Sequence, residues 1–185
     1  MIIHFRGSFS REQNQRIHML VTKLTRVEID LGAIAWNIQK IREKVTSNVK
    51  IMAVVKADGY GHGAKEVSRV ALQNGVDYLG VAIPEEGIKL RQAGVRAPIL
   101  VLGVILPERA GLVLEYDLTQ TVCTLDVTKA LSENARKLGK IAKVHVKVDT
   151  GMGRIGILPE EGASFIKEIS QLKNLCLLYT SDAVS

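Results

Sequence analysis

Apolar, strand-like runs alternate with amphipathic, helix-like segments along most of this chain, at intervals of roughly 20–25 residues. Few architectures accept that pattern. Residues 50–55, 78–82, 99–102, 119–123, 143–148 and 175–179 read as strands, and the first of these is too uniformly apolar to have a wet face. Strands of that kind need cover on both faces, and helical crossovers between them set neighbouring strands parallel. The expected class is therefore α/β with a parallel sheet and right-handed crossovers. Periodicity alone leaves two architectures open, a doubly wound open sheet and part of a (β/α)8 barrel. Neither G-x-G-x-x-G after the first strand nor G-x-x-x-x-G-K-[ST] is present to favour a nucleotide fold.

The helices carry their own punctuation. Asp30 can cap a helix over 31–45, in which Ile34, Ile38 and Ile41 recur at helical spacing. A helix over 64–74 ends at Gly75, and one over 84–93 opens on Pro84 with Glu85 and Glu86 in its first turn. Further helices are expected over 107–116, over 126–138 with Asp126 as cap and Gly139 as stop, and over 159–172. Ahead of them, Val27-Glu28-Ile29-Asp30-Leu31 alternates as a half-buried strand does. Residues 1–24 show no period and read as a loose extension, and Met19 could be the natural start.

Composition narrows the function classes. A net charge of +6 is spread along the 185 residues, and aromatic residues make up 4%. Stacking platforms for nucleic acid are therefore scarce, and a nucleic-acid role is not expected. No apolar run approaches the roughly 20 residues that span a bilayer. Residues 1–15 have no apolar core of the kind a signal peptide needs. Cys123 and Cys176 match neither a metal-ligand spacing nor a disulfide framework, so reduced thiols, a cytoplasmic protein and no metal are expected.

In parallel α/β architectures, functional groups gather at the C-terminal ends of strands. Lys56 stands at such an end, and Gly59-Tyr60-Gly61-His62-Gly63 follows directly. A lysine leaving a core strand is ordinarily solvent-facing. The glycine-rich turn changes the balance, because it allows close backbone approach to a ligand and Tyr60 adds a hydroxyl. A partly desolvated amine in that place suits Schiff-base chemistry. A second strand end carries Lys147, Asp149 and a glycine-rich loop with Arg154, whose planar fork suits a carboxylate or an aromatic oxygen. His145 shares a strand face with Lys147 but reads as a packing residue, and His62 as a turn residue.

The segments Arg26-Val27-Glu28-Ile29-Asp30-Leu31, AVVKADGYGHGA over 53–64 and VKVDTGMGRIG over 146–156 together resemble bacterial alanine racemase. The likeness runs over about residues 25–172, in order and in spacing. It implies a pyridoxal 5'-phosphate enzyme with a (β/α)8 TIM-type barrel and a C-terminal β-domain. It implies a homodimer that interconverts L-alanine and D-alanine and so supplies D-alanine for cell-wall peptidoglycan. By the same resemblance Lys56 is the cofactor-bearing lysine and the base on one face of the substrate Cα. Tyr60 matches the tyrosine near the cofactor phosphate. Arg154 matches the arginine that contacts the cofactor's phenolic oxygen and the substrate carboxylate, and Lys147 the lysine, often carbamylated, that positions it. Two other readings stay open: a non-catalytic pyridoxal-phosphate-binding module, and another pyridoxal-phosphate barrel enzyme, such as a broad-specificity racemase or a decarboxylase.

The chain also departs from that pattern. A (β/α)8 barrel takes about 250 residues, and the runs above supply roughly the first five to six βα units, without the C-terminal β-domain. The family's opposing base is a tyrosine of that domain in the partner subunit. The division expected is an extension over 1–24, a partial barrel over 25–175, and a tail over 176–185 that leaves the family pattern. On this reading the chain by itself is an inactive fragment.

Overall fold

Six strands pair edge to edge in the order in which the chain makes them, all parallel, in one sheet. They are β1 (Met52–Val54), β2 (Tyr78–Val81), β3 (Ile99–Val101), β4 (Thr119–Val122), β5 (Ala142–Val148) and β6 (Leu175–Asp182). This is a computed structural model, and it describes residues 27–182. Residues 1–26, including the loose extension and Met19, lie outside the described residues, as do 183–185.

The strand order decides between the two architectures that periodicity left open. A doubly wound sheet reverses its order at a switch point. Here each new strand is laid beside the last, β1-β2-β3-β4-β5-β6, as in a barrel wound in one direction. The fold is a partial (β/α)8 barrel of six strands among the described residues.

The helix α1 (Leu31–Lys44) precedes β1, and α2 (Ala64–Gln73), α3 (Pro84–Gln92), α4 (Ala110–Glu115), α5 (Leu125–Leu138) and α6 (Pro159–Ile169) lie between successive strands. A 3-10 turn, Pro107–Arg109, leads into α4, so the helix expected over 107–116 forms in two pieces. The core lies where strands and helices meet. Leu79, Val81, Ile99, Val101, Val144 and Val146 are buried from the strands, and Leu90, Val113, Leu131 and Ile169 from the helices. All of β3 and β4 is buried, as a parallel strand covered on both faces requires. In β4 that burial includes polar Gln120, whose Nε2 donates to Gly103 O and Thr121 O, each at 2.7 Å.

Three local expectations are corrected. Residues 27–30 form no strand: Asp30 instead caps α1, accepting from Ala33 N at 3.0 Å. The strand expected over 50–55 shortens to the three residues of β1, which among the described residues lies at the sheet edge beside β2 alone, and Val54 is 39% exposed. The cap of α5 is Thr124, while Asp126 sits two residues on, in the first turn, and accepts from Val127 N at 2.7 Å and from the Thr124 hydroxyl.

Candidate active site

The main chain leaving β1 does something its glycines do not require. Ala57, Asp58, Gly59 and Tyr60 all lie in the left-handed region, with φ of 51°, 53°, 62° and 54°. Only one of the four is glycine, and each of the others carries a penalty of roughly 1–2 kcal/mol. Such strain persists only where the surroundings over-determine it, and here they do. Within the turn, Gly59 N donates to Val55 O at 2.9 Å, Gly61 N to Ala57 O at 3.0 Å and Gly63 N to Asp58 O at 2.8 Å. Gly63 has no side chain with which to cap α2, so Asp58 reaches across to accept from Ala64 N at 2.9 Å. The His62 Nδ1 lies 3.0 Å from Gly59 O and 3.1 Å from Tyr60 O. Both facing atoms are carbonyl oxygens, so Nδ1 must be the protonated nitrogen. His62 is thus a turn residue, as its place in the motif suggests.

This single left-handed turn puts Lys56 and Tyr60 on the same side. Lys56 is half-buried, and its Nζ lies 5.9 Å from the centroid of the Tyr60 ring, which is exposed. An amine held at the edge of a barrel end, beside a phenol, can meet an aldehyde while its stem remains packed.

The second strand end is built differently. Beyond β5 the chain loops out and returns, closed at its base by Asp149 N to Ile157 O at 2.8 Å and Ile157 N to Lys147 O at 3.0 Å. Asp149 Oδ1 accepts from Gly151 N and Gly153 N, each at 3.0 Å. These N–H groups hold the Asp149 carboxyl below the usual carboxylate range. Arg154 is exposed on this loop and lines a cavity of about 390 Å³ with Thr121, Val122, Cys123, Thr124 and Gly156. Lys147 is half-buried on β5. Burial pushes the Cys123 thiol up, while the Gly156 backbone and the Lys147 charge pull it back, which places Lys147 within electrostatic reach of Cys123. His145, opposite Thr121 in the β4–β5 register, is buried, and burial lowers its imidazole below the ordinary value. It is neutral at neutral pH, as a packing residue is.

The four residues singled out in the sequence therefore fall into two pairs. Lys56 and Tyr60 share one turn, while Lys147 and Arg154 share β5 and its loop. The cavity that Arg154 lines includes neither Lys56 nor Tyr60, and β2, β3 and β4 stand between the two pairs in the sheet.

One residue escaped the sequence reading. Glu86 looked like an acid favouring a helix N-terminus. Its carboxylate instead bridges two strand ends, with Oε1 accepting from Ala57 N at 2.7 Å and Oε2 from Ala82 N at 2.7 Å. The available signal was that a main chain leaving a parallel sheet loses its ladder partners and needs acceptors nearby. Glu86 begins four residues after Ala82 and supplies one.

Residues 29–183 match the family model for the alanine racemase N-terminal domain. An alanine racemase of Halothermothrix orenii is 46% identical over 155 residues, covering 84% of this chain and 41% of that protein. The solved alanine racemase of Clostridium difficile 630 in complex with cycloserine superposes with a TM-score of 0.85 at 39% identity, covering 89% of this chain and 46% of that one. A histidine racemase of Leuconostoc mesenteroides subsp. sake superposes at 0.78 with 32% identity, covering 85% of this chain and 42% of that one. The chain thus spans about two fifths of the length of the curated relative it matches. In sequence and in fold alike, it belongs to the alanine racemase N-terminal domain family.

Proposed function

We propose that this chain supplies the lysine-bearing part of a pyridoxal-phosphate-dependent alanine racemase, a cytoplasmic homodimer that interconverts L-alanine and D-alanine. The observation that carries the reading is the strained left-handed turn, which presents the Lys56 amine beside the Tyr60 phenol at the end of β1. The residues fit the cofactor: a half-buried primary amine for its aldehyde, and a hydroxyl-bearing ring beside that amine for its phosphate. Bound there, pyridoxal phosphate supplies the electron sink that acidifies the substrate Cα–H.

The chain's own residues do the rest. Lys56 Nζ would hold the cofactor through its aldehyde, and as a free amine it would take the proton from one face of the substrate Cα. Arg154 would offer its guanidinium to the substrate carboxylate and to the cofactor's phenolic oxygen, and Lys147 would keep that arginine in place. Inversion needs a second acid/base on the opposite face, which this reading assigns to the partner subunit.

The test is chiral chromatography of alanine incubated with pyridoxal phosphate and the polypeptide that carries this segment in its full reading frame. Interconversion that Lys56→Ala abolishes supports the reading, and interconversion indifferent to Lys56→Ala defeats it. The histidine racemase that shares this fold gives a second reading, racemisation of a different amino acid. Conversion of histidine but not alanine, lost in the same variant, would favour it.

A further inference from the structure

We infer that Glu86 is a positioning residue for Lys56, an inference that rests on the proposed role of that lysine. Ala57 is the residue directly after Lys56, and its N–H is the first donor beyond the reactive side chain. In a right-handed continuation that N–H would be one of the orphan donors of a helix N-terminus. In this left-handed turn it points instead to Glu86 Oε1 at 2.7 Å. The other carboxylate oxygen takes Ala82 N at 2.7 Å, from the residue just past β2. Val55 N, one residue before Lys56, donates to Gly80 O of β2 at 2.8 Å. Lys56 is therefore pinned on both flanks to the second strand, through the ladder before it and through Glu86 after it.

Both bonds join a carboxylate to a backbone N–H, the charge-assisted kind. Glu86 is itself fixed by α3, whose first turn it occupies after Pro84. Its neighbour Glu85 faces elsewhere and pairs with Arg109. The bracket thus belongs to one of two adjacent glutamates, and it acts on the main chain of Lys56 rather than on any ligand.

A glutamine at this position keeps the length but has one acceptor oxygen, so its NH2 faces one of the two N–H groups. The experiment compares the polypeptide that carries this segment in its full reading frame with its Glu86→Gln and Glu85→Gln variants. Each is incubated with pyridoxal phosphate and trapped with borohydride, and the adduct on Lys56 is quantified by peptide mapping against the summed adduct on the other lysines. Exposed lysines also react in unfolded chain, so the ratio is compared at folded fractions matched by circular dichroism. Glu86→Gln should lower it by about tenfold or more, as displacement of a reacting group by about 1 Å does, whereas Glu85→Gln should leave it unchanged. A folded Glu86→Gln protein with the wild-type ratio overturns the inference. No Lys56 adduct in the wild type overturns the proposed function first, a failure seen before any variant is made. If Glu86→Gln does not fold, amide exchange of the wild type decides. Ala57 and Ala82 amides protected beyond that of Lys56 support the bracket, and exchange at free-peptide rates overturns it.

Discussion

Replacing Gly156 with alanine should open the loop that carries Arg154. Gly156 has φ of +142°, and a Cβ built there would stand 2.5 Å from Asp149 N, 2.9 Å from Val148 C and 3.0 Å from Asp149 Cα. These are main-chain atoms at the loop's own base, so no side chain can swing aside to make room. The cheapest relief is to break the closure itself, the bonds between Asp149 N and Ile157 O and between Ile157 N and Lys147 O. Each is worth about 0.5–1.5 kcal/mol net. Ile157, 7% exposed and part of the core, would be drawn partly into water, against a full value of about 1.5–3 kcal/mol for such a side chain. The expected destabilisation is about 2–4 kcal/mol. Gly153→Ala is the matched control: its φ of +68° is also left-handed, but nothing lies within 4 Å of the added Cβ, so only about 1–2 kcal/mol is at stake. Urea unfolding with an unchanged m-value gives both numbers, and amide exchange at Asp149 and Ile157 reports the closure directly. Equal effects of the two variants, or both amides still protected in Gly156→Ala, would refute this reasoning.

Three further outcomes follow from buried or bonded polar groups. Gln120→Ala should cost about 2–4 kcal/mol, because it opens a cavity in a fully buried strand and orphans Gly103 O; Gln120→Leu, which refills the volume, should cost less in the same thermal unfolding assay. Burial holds the His145 imidazole below its ordinary 6.5, so the unfolded chain accepts a proton that the folded chain resists. Its stabilising contribution is present above that value and declines as pH falls below it, at no more than about 1.4 kcal/mol per pH unit, and urea midpoints of His145→Gln should show a flatter decline. The Gly153 and Gly151 N–H groups lower the Asp149 carboxyl from its ordinary 3.8; protection of those two amides should hold steady down to about pH 4 and fall below it, while Asp149→Asn should weaken it already at neutral pH.

The strands and helices were legible because each uses a local signal: an apolar run, a proline at the first helical position, a glycine at the stop. The direction of winding was not, since alternation is common to barrels and doubly wound sheets and only the pairing of β1 through β6 in sequence order separates them. Val27 to Asp30 has the alternation of a strand but joins no sheet ladder among the described residues, and ladder formation is a tertiary event that a period cannot report. The turn after Lys56 was legible as a place but not as a form. Gly59, Gly61 and Gly63 suggested close backbone approach to a ligand, but nothing local showed that Ala57, Asp58 and Tyr60 hold left-handed conformations through bonds that include a carboxylate 29 residues away. Glu86 stayed hidden for the same reason. A glutamate in a first helical turn is unremarkable until the fold brings two strand ends to its oxygens.

The central claim is that Lys56, held on its strained turn, is the amine that takes pyridoxal phosphate. Borohydride trapping followed by peptide mapping of the polypeptide that carries this segment in its full reading frame tests it most directly. A dominant adduct on Lys56, lost in Lys56→Arg with no compensating rise elsewhere, is the result predicted. Adduct spread over the exposed lysines, unchanged by Lys56→Arg, would contradict it.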